Sequence, residues 1–135
     1  MSAERPLPVI TDQNRVHWEA AVRHELVLPQ CMNCRKVFFP IAPVCPFCNA
    51  ADPGWQKVSG RGKVSSFVVF RQAFFPFFKE RLPYAVVQVE LEEGPRFNAN
   101  LFDMDPADIR IGMPVEVTFE KVNEEITLPQ FRPAL

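Results

Sequence analysis

The sequence predicts a mostly β protein in three parts: an N-terminal helical segment over 1–28, a metal-clasped segment over 29–56 and a five-stranded barrel over 57–135. Three observations carry this reading. Fourteen prolines against five glycines in 135 residues favour short strands joined by stiff turns over long helices. Four cysteines fall into two C-x-x-C pairs. From Ser59 onward, apolar residues recur at every second position. A hydrophobic share of 47% with 23% charged residues fits one globular domain or two small units. No stretch approaches the roughly 18 unbroken apolar residues of a membrane helix. The opening MSAERPLPVI lacks the apolar run of a secretory signal, so a cytoplasmic address is expected.

Residues 11–28 read as the one substantial helix. Thr11 or Asp12 would cap it, Trp18, Ala21, Val22 and Leu26 fall on one stripe, and Pro29 would end it. The segment 30–50, cut by Pro40, Pro43 and Pro46, is too interrupted for regular structure. Lys63–Arg71 is the first strand. In the second, Tyr84–Glu92, Ala85, Val87, Val89 and Leu91 share one face while Val86, Gln88, Glu90 and Glu92 take the other. Phe97, Ala99 and Leu101 mark a third strand after the Glu93-Gly94-Pro95 turn. Asp105 before Pro106 reads as a cap with proline at the first helical position, and Gly112 closes that short turn. Val115, Val117 and Phe119 line a fourth strand, and Thr127–Phe131 forms a fifth. Five short antiparallel strands with a brief helix between the third and fourth is the order of an OB-fold barrel, which closes to remove its edges.

The cysteine spacing is Cys31-x-x-Cys34, ten residues, then Cys45-x-x-Cys48. Each tight turn presents two sulfurs, and two facing turns supply the four thiolates of a tetrahedral Zn²⁺. Two disulfides are the alternative, disfavoured in a reducing compartment. A rubredoxin-like iron centre is another, and it would make the chain an electron carrier. Four protein sulfurs leave no open coordination position, so the ion would be structural. The residue after the second cysteine of such a turn often needs a left-handed backbone, which Asn49 tolerates and Arg35 does less easily.

Catalytic groups are scarce. His17 and His24 both lie in the expected helix, where a solvated or interfacial role is the simpler reading. No G-x-S-x-G elbow and no glycine-rich phosphate loop occurs. The carboxylates Glu92, Glu93, Asp103 and Asp105 cluster at strand ends and read as solvated turns rather than as the acid/base groups of a lone hydrolase. Zinc ribbon plus OB barrel also suggests a single-stranded nucleic-acid binder. Charge argues against it, because residues 64–135 hold 7 basic and 11 acidic side chains. Two segments are left as binding candidates. Phe74, Phe75, Phe77 and Phe78 surround Pro76 between two strands and would form a partner-facing or acyl-facing surface, or fold down as a lid. Lys57, Arg61 and Lys63 flank Gly60 and Gly62 and would meet phosphates.

Over nearly its whole length the chain resembles the acyl-CoA-associated proteins that join a rubredoxin-like zinc ribbon to an OB fold, the domain-of-unknown-function-35 type. The matching residues are the Trp18 helix, Cys31-x-x-Cys34, Phe39-Pro40, Val44-Cys45-Pro46-x-Cys48, Ser59-Gly60-x-Gly62, Leu82-Pro83-Tyr84, Val89-Glu90-Leu91-x-Glu93-Gly94, Asp105-Pro106, Ile111-Gly112-Met113-Pro114-Val115 and Leu128-Pro129-x-Phe131-x-Pro133. Departures are Arg35 where glycine is usual, His17 before the Trp, and Ile41 where a second proline is frequent. The resemblance implies a non-catalytic accessory subunit of a hetero-oligomeric complex. Its partner, a thiolase-superfamily, acyltransferase-like or hydratase-like enzyme, would make or break carbon–carbon bonds of a coenzyme A thioester. The ribbon would clamp that partner and the barrel would help enclose the substrate. No nucleic-acid or membrane partner is expected, nor turnover by the chain alone.

Overall fold

The computed structural model describes residues 7–73 and 76–134. Helix α1 spans Arg15–Val22, which is shorter at both ends than the periodicity suggests. Asn14 occupies the N-cap position, and it trades hydrogen bonds with Thr11: the Thr11 N–H donates to Asn14 Oδ1 at 2.7 Å. At the other end His24 turns left-handed with φ 61, the His24 N–H donates to the Ala21 carbonyl and the Glu25 N–H to that of Ala20. This is a Schellman stop, usually marked by glycine and here hidden under a histidine, a residue enriched among left-handed non-glycines. Leu26 therefore belongs to a strand, not to the helical stripe, and Pro29 lies within that strand instead of ending a helix.

Strand β1 (Leu26–Gln30) pairs antiparallel with β2 (Gly54–Val58), and the ribbon's knuckles lie between them. Lys57 sits on β2 opposite Val27, not in a turn leading into the barrel. Strands β3 (Arg61–Phe70), β4 (Tyr84–Leu91), β5 (Arg96–Leu101), β6 (Pro114–Lys121) and β7 (Thr127–Pro133) close a barrel in the order β3-β4-β5-β7-β6. Closure is not wholly antiparallel as expected: β5 meets β7 in parallel at Leu101 and Phe131. A meander alone would leave an edge, and the crossover through the short 3-10 turn Pro106–Asp108 brings the last strand back beside β5. Asp105 caps that turn by accepting the Ala107 N–H at 2.9 Å.

The inner faces follow the period-two pattern. Ala85, Val87 and Val89 are wholly buried, and Leu91, Phe97, Leu101, Val115 and Phe131 complete the core. A register shift between Val64 and Ser66 re-phases β3, so Phe67 joins Val64 against the core while Val68 stays exposed. Gly62 sits where β3 pairs with both β4 and β6; a Cβ there would lie 2.3 Å from the Glu90 carbonyl oxygen. Leu26, Leu28 and Val58 pack into this same core and tie the ribbon's sheet to the barrel.

Of the solvated and interfacial positions open to it, His17 takes the interfacial one and is buried. Its Nδ1 lies 2.9 Å from the Val27 carbonyl, and its ring meets Trp18 edge-on and Phe97 at a tilt. His24 leaves the helix and stacks on Phe119 of β6 at 5.2 Å. Among the described residues no helix is long and apolar enough to cross a membrane.

Candidate metal centre and binding surfaces

The two knuckles share one local design. In the first, the Cys31 N–H donates to the Lys36 carbonyl and the Arg35 N–H to that of Cys31; in the second, Cys45 and Ala50, then Asn49 and Cys45, repeat the pattern. Arg35 at φ 67 and Asn49 at φ 65 occupy the expected left-handed position of each. Amide hydrogens point at the sulfurs: Asn33 and Cys34 N–H to Cys31 Sγ at 3.4 Å, and Phe47 N–H to Cys45 Sγ at 3.3 Å. Such donors favour thiolate over thiol.

All four sulfurs lie within 4.8 Å of one another, with Cys31–Cys48 at 3.4 Å and Cys34–Cys45 at 3.7 Å. A tetrahedron with Zn–S of about 2.3 Å requires S···S of about 3.8 Å, which this cluster fits. The separations far exceed a disulfide bond of about 2.05 Å, and all four thiols are free. Cys31 and Cys45 are buried while Cys34 and Cys48 stand nearer the surface. The Cys34 N–H, against burial and with help from the Asn33 N–H, lowers the Cys31 thiol to about 6. Cys34 is pushed up to about 11: the Lys36 N–H pulls downward, and burial with the three neighbouring sulfurs outweighs it. Cys48 is lowered, first by the Asn33 side-chain amide. Sulfurs this close cannot all hold charge by themselves, and Zn²⁺ held by Cys31, Cys34, Cys45 and Cys48 would supply the compensating charge.

Of the Phe cluster, Phe74 and Phe75 lie outside the described residues. Phe77 and Phe78, both half-buried, belong to the 3-10 turn Pro76–Arg81 at one end of the barrel. Phe78 stacks on Tyr84 at 4.8 Å, and Tyr84 stacks in turn on Phe70 at 5.0 Å. Phe77 meets Phe78 edge-on, and the Arg81 guanidinium lies 4.6 Å over Phe77 and 5.7 Å from the Phe102 ring. An aromatic ladder with a cation at its tip thus stands at the barrel mouth. The spacing of the phenylalanines points to an aromatic patch or lid but not to this ladder, and the parts played by Tyr84, Phe102 and Arg81 have no local signal.

Of the three basic candidates, Lys57 and Arg61 are paired internally, while Lys63 is in no ion pair among the described residues. Lys57 Nζ lies 3.9 Å from Glu25, Arg61 Nε lies 3.3 Å from Glu92, and Lys63 stands in register beside Glu90. The Ser59 N–H donates to Glu93 Oε2 at 2.8 Å, so a carboxylate of the chain itself occupies that amide. Two stretches quoted for the family resemblance, Ser59-Gly60 and Glu93-Gly94, meet in this contact.

The zinc-ribbon model of the ChsH2 family matches residues 18–53, and its C-terminal OB-fold model matches residues 55–120. A DUF35 domain-containing scaffold protein of Methanothermobacter thermautotrophicus is 37% identical over 118 residues, which are 87% of this chain and 88% of that protein. This chain is a member of the DUF35 family. A solved structure described as an Ltp2-ChsH2(DUF35) aldolase superposes on the DUF35 chain with TM-score 0.84 at 38% identity, covering 96% of this chain and all of that one. A probable enoyl-CoA hydratase alpha subunit of Thermomonospora curvata is 39% identical across 98% of this chain, and the chain spans only 41% of that longer protein. The DUF35 architecture accounts for the closed barrel and the four-cysteine ribbon together.

Proposed function

We propose that this DUF35 chain is a non-catalytic accessory subunit of an acyl-CoA processing complex. Its four-cysteine ribbon, organised by structural Zn²⁺ on Cys31, Cys34, Cys45 and Cys48, grips a catalytic partner of the thiolase superfamily. That partner makes or breaks a carbon–carbon bond, and the barrel helps enclose the CoA thioester. The observation that carries the reading is the end-to-end likeness to a chain of an assembly described as an aldolase. The composition of the chain supports it: among the described residues the cysteines are absorbed in the ribbon, His17 is buried on a backbone carbonyl, and His24 stacks on Phe119. The Phe77–Phe78 ladder with its Arg81 tip is the surface we assign to the partner or the acyl chain, since aromatic and arginine side chains are the residues that anchor interfaces. Exclusion of water and orientation of a bulky thioester would then raise the effective concentration of reacting groups on the partner.

A hydratase companion is the second reading, favoured by the likeness to a hydratase alpha subunit that continues well beyond this chain's length. Affinity purification of the zinc-loaded chain from its source cells separates them by the enzyme recovered. A thiolase-type companion supports the first reading and a hydratase the second. Thioester turnover by the purified chain alone overturns both.

A further inference from the structure

Ribbon and barrel meet along a cleft of 690 Å³ that neither builds alone, within the range of small-molecule sites. Arg35, Lys36 and Phe47 come from the knuckles, and Glu93 and Arg96 come from the turn between β4 and β5. Arg35, Lys36 and Arg96 belong to none of the ion pairs among the described residues. The carboxylate that lines the same cleft, Glu93, is already held by the Ser59 N–H. Phe47 is 59% exposed, with Lys36 Nζ 4.7 Å above its ring. Three cations against one carboxylate leave the cleft net positive, whereas Lys57 and Arg61 are paired with Glu25 and Glu92.

Arg35 adds an independent pointer. At φ 67 it holds a backbone conformation that penalises any residue with a Cβ, and a glycine would relax it. The matching position of the second knuckle carries Asn49, which tolerates that region well. Strain accepted at one knuckle and avoided at the other points to a use for the side chain. Arg35 is one of the residues that line the cleft.

We propose that this cleft binds the adenosine-phosphate end of a coenzyme A thioester. Arg35, Lys36 and Arg96 meet the phosphates and the adenine packs on Phe47. A concave site with convergent cations and one exposed ring suits a planar base that carries phosphates. The identity of the nucleotide rests on the acyl-CoA reading above.

The test titrates the zinc-loaded full chain with adenosine 3′,5′-bisphosphate by calorimetry at low and high salt. Saturable binding that weakens with salt is expected. Arg96→Glu should weaken it about ten-fold or more, Phe47→Ala less, and Arg61→Glu hardly at all. Arg35→Gly should raise the thermal midpoint while weakening the nucleotide, a pair of opposite effects that a merely structural arginine does not give. Absence of saturable binding, equal affinity for inorganic phosphate, or a larger loss in Arg61→Glu than in Arg96→Glu overturns the proposal. If Arg96→Glu impairs capture of the catalytic partner and no nucleotide binds, the cleft is a protein interface; this inference falls and the accessory-subunit reading stands. Nucleotide binding that maps to Arg96 without any partner recovered does the reverse.

Discussion

In the ribbon, Phe38 is the one large side chain buried with Cys31 and Cys45, whereas the barrel interlocks residues such as Val87, Val89, Leu91, Phe97, Leu101 and Phe131 in a single cluster. A sheet of five paired strands removes enough apolar surface from water to hold itself, at roughly 25 cal/mol per Å². Two knuckles with one buried ring cannot, and they depend on coordination instead. The contrast teaches that the same chain has two melting mechanisms, joined through Leu26, Leu28 and Val58, where the ribbon's sheet enters the barrel core.

The largest effect expected is therefore loss of the metal. Zinc in comparable peptides contributes about 10–16 kcal/mol to folding. Chelation, or Cys45→Ser, should open residues 31–53 to protease and abolish partner capture, while amide protons of β4 and β5 stay protected from exchange. Simultaneous loss of protection in both regions would erase the distinction between the two halves. Next comes the barrel core: Phe131→Ala should cost about 3–5 kcal/mol in denaturant unfolding, with zinc stoichiometry unchanged in the folded protein. Gly62→Ala probes closure, because its Cβ would strike the Glu90 carbonyl oxygen and the Val89 side chain. A loss of about 1–3 kcal/mol is expected, and a neutral result would show that β3 can shift away from β4 at no expense.

Two smaller effects sharpen the comparison at its seam and on its surface. Burial lowers the His17 pKa below 6.5, with the Val27 carbonyl opposing that shift in part. Below pH 6.5 the unfolded chain takes up a proton that the folded chain refuses, so stability is complete above that pH. It declines as pH falls toward the lowered value. His17→Gln should flatten this slope in thermal melts at saturating zinc; an unchanged slope assigns it elsewhere. Finally, Arg61→Ala breaks an exposed pair with Glu92 and should cost under about 1 kcal/mol, read as a small shift in the urea midpoint.

Short-range chemistry made much of this architecture legible. The strands beginning near Lys63, Tyr84, Phe97 and Val115 follow from alternation, and the knuckles follow from C-x-x-C spacing with left-handed Arg35 and Asn49. The helix end was hidden because His24 supplied by tertiary stacking on Phe119 what a glycine would have announced. Strand β1 was masked for a related reason: Leu26 is apolar at a position that fits the helical stripe as well as a buried strand, and only pairing with β2 decides between them. The aromatic ladder was half visible, in Phe77 and Phe78 but not in Tyr84 or Arg81.

The sequence by itself determined the four-sulfur clasp and the alternating strands, because each depends on residue type and near-neighbour spacing. Only the tertiary structure decided which charges are free. Arg61 and Lys57 look available along the chain, yet Glu92 and Glu25 reach them from other strands or turns. Arg35, Lys36 and Arg96 look unremarkable along the chain, yet the docking of ribbon on barrel gathers them around one cleft. Electrostatic pairing acts through space over a few ångströms, and no local pattern encodes which distant segments the fold will bring that close.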